Sequence, residues 1–137
     1  FAVSPTGKIT VVWFMGGSER PGLYYAVSSD KGATFAAKQW LDPQQRLGKH
    51  VHVVALNNGQ VFASWDDAAE KTFSAWGLLD PQRGLLRRSP SQDGVAYPVV
   101  AANGKLAIIA GMRLSSHEIA ISIESLNDIG KHSAAQH

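Results

Sequence analysis

The side chains with chemical reach lie in five polar stretches: "GGSERPG" (16–22), "DPQQRLGKHVH" (42–52), "DDAAEK" (66–71), "SPSQDGVAY" (89–97) and "RLSSHE" (113–118). Arg46 and Arg113 offer planar guanidinium forks, which meet a carboxylate through two parallel hydrogen bonds. They are candidate clamps for an anionic ligand, with Arg20 a third. Their plain alternative is a solvated loop residue or an ion-pair partner. His50 is a candidate ligand contact beside them. Asp66 and Asp67, directly after "ASW", are the best carboxylate pair for acid–base work. Two acids at a strand end are also ordinary surface. His50 and His52 share a strand face by their spacing, which suits a metal held together with Asp66 or Asp67. No third histidine is in phase, so no metal and no other cofactor is expected. Trp65 has the ring to stack on a sugar, but it reads first as core.

These residues need a frame that brings distant loops together, and the chain supplies one by repetition. "VSPTGKITVVWFM" (3–15), "ALNNGQVFASWDD" (55–67) and "VAANGKLAIIAGM" (100–112) superpose on Gly7, Gly59 and Gly104. Each is an apolar run, a short turn closing on glycine and a second apolar run, the signature of a β-hairpin. A third strand-like run follows each hairpin: "GLYYAVS" (22–28), "TFSAWGLL" (72–79) and "EIAISIESL" (118–126). Then come Asp30, Asp80 and Asp128, trailed by Gly32, Gly84 and Gly130. Fourth runs, "TFAAKQWL" (34–41) and "GLLRRS" (84–89), complete the first two units. No helical period survives over a useful length. A repeat of roughly 50 residues with four antiparallel strands predicts an all-β chain of β-propeller type. About three blades are expected, over 1–47, 48–92 and an incomplete 93–137.

One turn carries a family resemblance. In "SSDKGATF" (28–35), Asp30 is able to accept hydrogen bonds from backbone N–H groups ahead of it, and Gly32 supplies a positive φ. Thr34 closes the loop, and Phe35 is expected to pack between sheets. The pattern Ser28, Asp30, Gly32, Thr34, Phe35 resembles the Asp-box, the Ser-x-Asp-x-Gly-x-Thr-Trp turn of bacterial neuraminidase repeats, with Phe35 in the place of the tryptophan. It falls between third and fourth strands, as the box does in that family. "LLDPQRGLL" and "LNDIGKH" are degenerate copies in phase with it.

The resemblance to sialidase-like six-bladed propellers covers nearly the whole chain. It implies that the box is scaffold, and that three blades are half of a ring, the C-terminal half. Closure would need either the missing half or a second copy. It also implies that function sits on the loops opposite the box. A sialidase-like site needs three arginines for a carboxylate, a tyrosine nucleophile with a glutamate partner, and an aspartate as acid and base. The tyrosine is the recognised exception among paired-carboxylate glycosidases. The roles implied here are Tyr97 with Glu118, Asp66 or Asp67 as acid and base, and Arg46, His50 and Arg113 as substrate contacts. Tyr97, followed by Pro98, also reads as packing. The family's Arg-Ile-Pro motif is absent. The expected activity is an exo-glycosidase acting on anionic sugars, of which this chain is a fragment. The alternative is a non-catalytic propeller that binds a glycan or a protein partner.

Composition narrows the other classes. With 45% hydrophobic and 18% charged residues the chain reads as globular. The net charge is +2, and the basic residues are scattered apart from Arg87 and Arg88, which are expected on the surface of an outer strand. Nucleic acid is therefore not an expected partner. There is no cysteine, hence no disulfide framework and no thiolate zinc site. No apolar run approaches the ~20 residues of a membrane helix. The first residue is Phe1 rather than methionine, which together with the resemblance gives a secreted or periplasmic expectation.

Overall fold

The computed structural model describes residues 1–17, 20–42, 48–68 and 72–127. Alternating runs of Val, Ile, Phe, Tyr and Trp bounded by glycine turns form strands, and no helix occurs among the described residues. The first sheet orders β1 (Ala2–Val3), β2 (Ile9–Met15), β3 (Gly22–Ser28) and β4 (Gln39–Trp40). The second orders β5 (Gly48–Ala55), β6 (Val61–Ala68), β7 (Thr72–Asp80) and β8 (Gly84–Arg88), with β9 (Gln92–Asp93) also paired to β7. The third orders β10 (Val95–Ala102), β11 (Leu106–Arg113) and β12 (Ile119–Ser125). All pairings are antiparallel, and none of the three sheets closes on itself.

The hairpin turns set the register, and one of them differs from its expected equivalents. Ser4 N–H donates to Lys8 O, and Leu56 N–H donates to Gln60 O, each closing a turn whose glycine (Gly7, Gly59) has a positive φ. In the third hairpin Asn103 N–H already meets Leu106 O, so the loop is one residue shorter. Ala102 pairs with Ala107, whereas Ala55 pairs with Val61. Superposition on Gly104 therefore leaves β11 one residue out of phase, which exchanges its two faces. Ala107 and Ile109 enter the core, and Leu106 and Ile108 face out.

The second sheet is packed on both sides. Side chains alternate along β6, so Val61, Ala63 and Trp65 meet Leu23, Tyr25 and Leu41 of the first sheet's side. Phe62, one step out of phase, meets Val100, Ala107 and Ile109 of the third sheet, with Trp76 and Leu78 beside it. Trp65 is fully buried because the backbone gives it room: a Cβ on Gly77 would lie 3.0 Å from its ring and 2.6 Å from Leu85. The first strands sit next to one another, β1 beside β5 and β5 beside β10. Tyr25 and Tyr24 point to opposite faces. Tyr25 donates its hydroxyl to Gln39, and burial, then the charge of Asp80, pushes that phenol up.

Two expectations about the first unit change. Of the run 34–41 only Gln39–Trp40 forms a strand. Phe35 does not pack between sheets: it is 46% exposed. The turn before it satisfies its own polar groups, so the chain leaves the sheet there and carries the ring outward. Asp80 accepts from Gln82 N–H and Arg83 N–H, a small turn of its own. Asp128 and Gly130 lie outside the described residues.

Trp65→Ala should destabilise the chain by about 3–5 kcal/mol, the usual range for truncating a large buried aromatic. Phe35→Ala should stay within about 0.5 kcal/mol of wild type. Urea unfolding followed by fluorescence measures both, and equal losses would contradict the packing described.

Candidate functional site

At the end of β6 two consecutive carboxylates point to opposite faces, and each joins a different pair of sheets. Asp66 is 4% exposed and faces the third sheet. Its Oδ2 shares a 2.6 Å hydrogen bond with His50 Nδ1, and its Oδ1 accepts from Tyr97 N–H at 2.8 Å. Both partners sit in β-bulges, where the register slips between Lys49 and His52 in β5 and between Ala96 and Val99 in β10. Both have left-handed backbone, φ +48° for His50 and +54° for Tyr97, which is uncommon for such side chains. The bulges turn the two rings toward one another, with centroids 4.7 Å apart. Pairing shows that His50 and Tyr97 occupy the same place in their sheets: Lys49 pairs with Asp66, and Ala96 with Met112.

Asp67 faces the first sheet and belongs to an ion cluster. Arg88 reaches it through Nη2 at 2.9 Å and reaches Asp42, just past β4, through Nε at 2.6 Å. Arg88 Nη1 donates to Ser89 O, and Ser91 Oγ donates to Asp67. Asp42 is 3% exposed at its side chain and Arg88 21%. The expectation of a surface Arg88 is therefore corrected. Although β8 is an edge strand, its last residue turns under the sheet, over the Trp65 ring at 5.9 Å, because two nearly buried carboxylates require a cation. Arg87 alone behaves as expected, exposed and lying over the Trp76 ring.

The other candidates are spread along the same end of the sheets. Strand pairing puts His50, Asp66, Asp67, Arg113 and Glu118 at the end away from the Asp30 turn, which sits against Ile9 at the start of β2. Arg46 lies outside the described residues. Arg113 ends β11 opposite Val95, is exposed, and makes no ion pair among the described residues. Glu118 accepts from Ser116 within its own turn, and no hydrogen bond joins it to Tyr97 among the described residues. Tyr97 is 54% exposed. His52 Nδ1 accepts from Val100 N–H at 3.3 Å, a tie to the third sheet. Among the described residues no three His, Asp or Glu side chains come together as metal ligands. A cleft of about 340 Å³ also opens between the second and third sheets, lined by Trp76, Arg87, Gln92, Ser122 and Glu124.

The Asp30 turn is a closed polar network. Asp30 accepts from Thr34 Oγ1, Thr34 N–H and Ser28 Oγ, while Ser28 Oγ accepts from Gly32 N–H. The Thr34 hydroxyl first, then the Thr34 amide and the Ser28 hydroxyl, lower the Asp30 carboxyl from 3.8 to about 2. Asp42, Arg88 and Ser91 escape sequence reasoning because their partners come from three separate segments. Only the apolar surroundings of "GLLRRS" hint that one arginine is held.

Two outcomes follow. Arg88→Ala leaves Asp42 and Asp67 without their cation and should cost about 3–5 kcal/mol, whereas Arg87→Ala should stay within about 0.5 kcal/mol. Thermal unfolding of both variants checks this. The Asp30 carboxyl is depressed in the folded chain, so its contribution is full above its ordinary value near 3.8 and is lost as pH falls through about 2. The stability gap between wild type and Asp30→Asn, measured by urea unfolding, should therefore narrow from pH 4 down to pH 2.

No family model matches the chain, and neither a curated protein nor a solved structure matches it.

Proposed function

We propose that the chain is part of a non-catalytic β-propeller, and that its loop end around His50, Tyr97 and Arg113 binds a carbohydrate or another small anionic ligand. One observation carries this reading: Asp66 and Asp67, the carboxylates expected to act as acid and base, are already committed to holding strands and sheets together. Asp66 is bonded to His50 and to the Tyr97 amide, and Asp67 is tied to Arg88 and Ser91. What remains open at that end is an exposed imidazole–phenol pair and a cation without an ion-pair partner among the described residues, groups able to hold an anionic or sugar ligand. The propeller part of the reading is supported by successive antiparallel sheets whose first strands adjoin and whose second sheet is buried on both faces.

A sialidase-like hydrolase is the second reading, favoured by the exposed Tyr97 phenol and by the Asp30 turn. Titration calorimetry with sialic acid and neutral sugars, beside turnover of a fluorogenic sialoside, separates the two. The expected result is binding without turnover, weakened about 10- to 100-fold in Arg113→Ala by loss of a charged hydrogen-bond donor. Turnover that vanishes in Tyr97→Phe would carry the hydrolase reading instead. Absence of both binding and turnover would remove the ligand site.

A further inference from the structure

Two of the hairpin turns carry an asparagine directly before their glycine, Asn58–Gly59 and Asn103–Gly104. Such an asparagine can lose its side-chain amide, because the glycine nitrogen, unshielded by a side chain, can attack Cγ. Whether it does depends on three atoms: the attacking nitrogen, the carbonyl oxygen that gathers charge and the nitrogen that leaves. The two turns hold these atoms differently. In the second hairpin Gly59 N–H donates to Leu56 O at 3.0 Å, and Asn58 Nδ2 donates to Gln60 Oε1 at 2.8 Å. Asn58 Oδ1 meets a single donor, Gln60 N–H at 3.1 Å. In the third hairpin the shorter turn closes between Asn103 N–H and Leu106 O instead. Neither Gly104 N–H nor Asn103 Nδ2 makes a hydrogen bond among the described residues. Asn103 Oδ1 accepts from two main-chain donors, Lys105 N–H at 2.8 Å and Leu106 N–H at 2.9 Å. Asn103 and Gly104 are both exposed to water.

We propose that Asn103 is a site of spontaneous deamidation, and that its own turn promotes the reaction. A base in solution takes the proton from Gly104 N, which then bonds to Asn103 Cγ. The carbonyl electron pair moves onto Oδ1, where the Lys105 and Leu106 amides already stand at the distance of oxyanion donors. As the carbonyl re-forms, the Cγ–Nδ2 bond breaks, Nδ2 takes a proton, and ammonia leaves behind a cyclic succinimide. Water opens that ring at either carbonyl, giving an aspartate or an isoaspartyl link, so water is consumed and ammonia released. The isoaspartyl product adds a methylene to the main chain between residues 103 and 104. The register of β11 depends on that short turn, so the product loosens the third hairpin. The turn lies at the opposite end of β10 and β11 from Tyr97 and Arg113, so no ligand bound there takes part.

Peptide mapping by mass spectrometry follows conversion at both sites in the 137-residue chain, kept at mildly alkaline pH with and without urea. In the folded chain Asn103 should convert about 10-fold or more faster than Asn58, which has two further hydrogen bonds to release. In urea that ratio should fall toward one. Gly104→Ala should slow conversion at 103 and keep the fold. Its Cβ would stand 3.5 Å from Asn57 Nδ2, an ordinary contact, and φ there is not left-handed. The wild-type ratio alone decides the matter should that variant unfold. The isoaspartyl form, separated by its added charge, should unfold at a lower urea concentration than Asn103→Asp, which carries that charge on an unlengthened main chain. Equal rates at the two sites in the folded chain would overturn the assignment. So would a ratio that persists unchanged in urea, or a folded Gly104→Ala chain that converts as fast as wild type. Equal urea midpoints would overturn the effect on β11.

Discussion

Strand β6 has no solvent face, and most of the molecule follows from that. Its alternating side chains send Val61, Ala63 and Trp65 one way and Phe62, Ser64 and Asp66 the other. Both sets are buried, so the second sheet is held in place only if a sheet lies on each side. Burying Trp65 and Phe62 is worth on the order of 2–3 kcal/mol each, which is large beside the marginal stability of a small domain. The same burial exacts a polar cost. Trp65 Nε1 lies buried without a hydrogen-bond partner among the described residues, a loss outweighed by the packing of its ring.

Where β6 reaches the loops, apolar packing gives way to charge, and the alternation persists. Asp66 continues the face turned to the third sheet and Asp67 the face turned to the first. Each carboxylate therefore finds partners across its own seam rather than in a shared pocket. Adjacent acids in a sequence suggest a catalytic pair, but a strand separates them by geometry. The left-handed His50 and Tyr97 show the local consequence. A bulge at the same point of two neighbouring strands costs backbone strain, and the Asp66 carboxylate anchors both residues through one imidazole and one amide.

The repeats made much of the fold legible. Hairpins at Gly7 and Gly59, third strands ending near Ser28 and Asp80, and the closed polar turn of Asp30 all depend on neighbours within a few residues. The register of β11 did not show itself, because one residue fewer in a turn exchanges the faces of a strand without altering its composition. Phe35 misled for a related reason. Its aromatic character suggested packing, yet where a side chain goes after a turn depends on where the backbone leaves the sheet.

By itself the sequence determined the strands, their grouping in repeats and the self-contained turn at Asp30, since period-two alternation and turn chemistry act over short stretches of chain. It also pointed to chemically capable residues, of which His50, Asp66, Asp67, Tyr97 and Arg113 lie within strands. Only the tertiary structure decided which of those residues still face solvent. Arg88 looked like surface because its partners are far away in the chain: Asp42 arrives from just past β4 and Asp67 from β6. Asp66 looked available for the same reason, since its partners His50 and Tyr97 belong to a different strand and a different sheet. Partners distant in sequence leave no local pattern, so the fate of a charge is settled by the fold that brings them together.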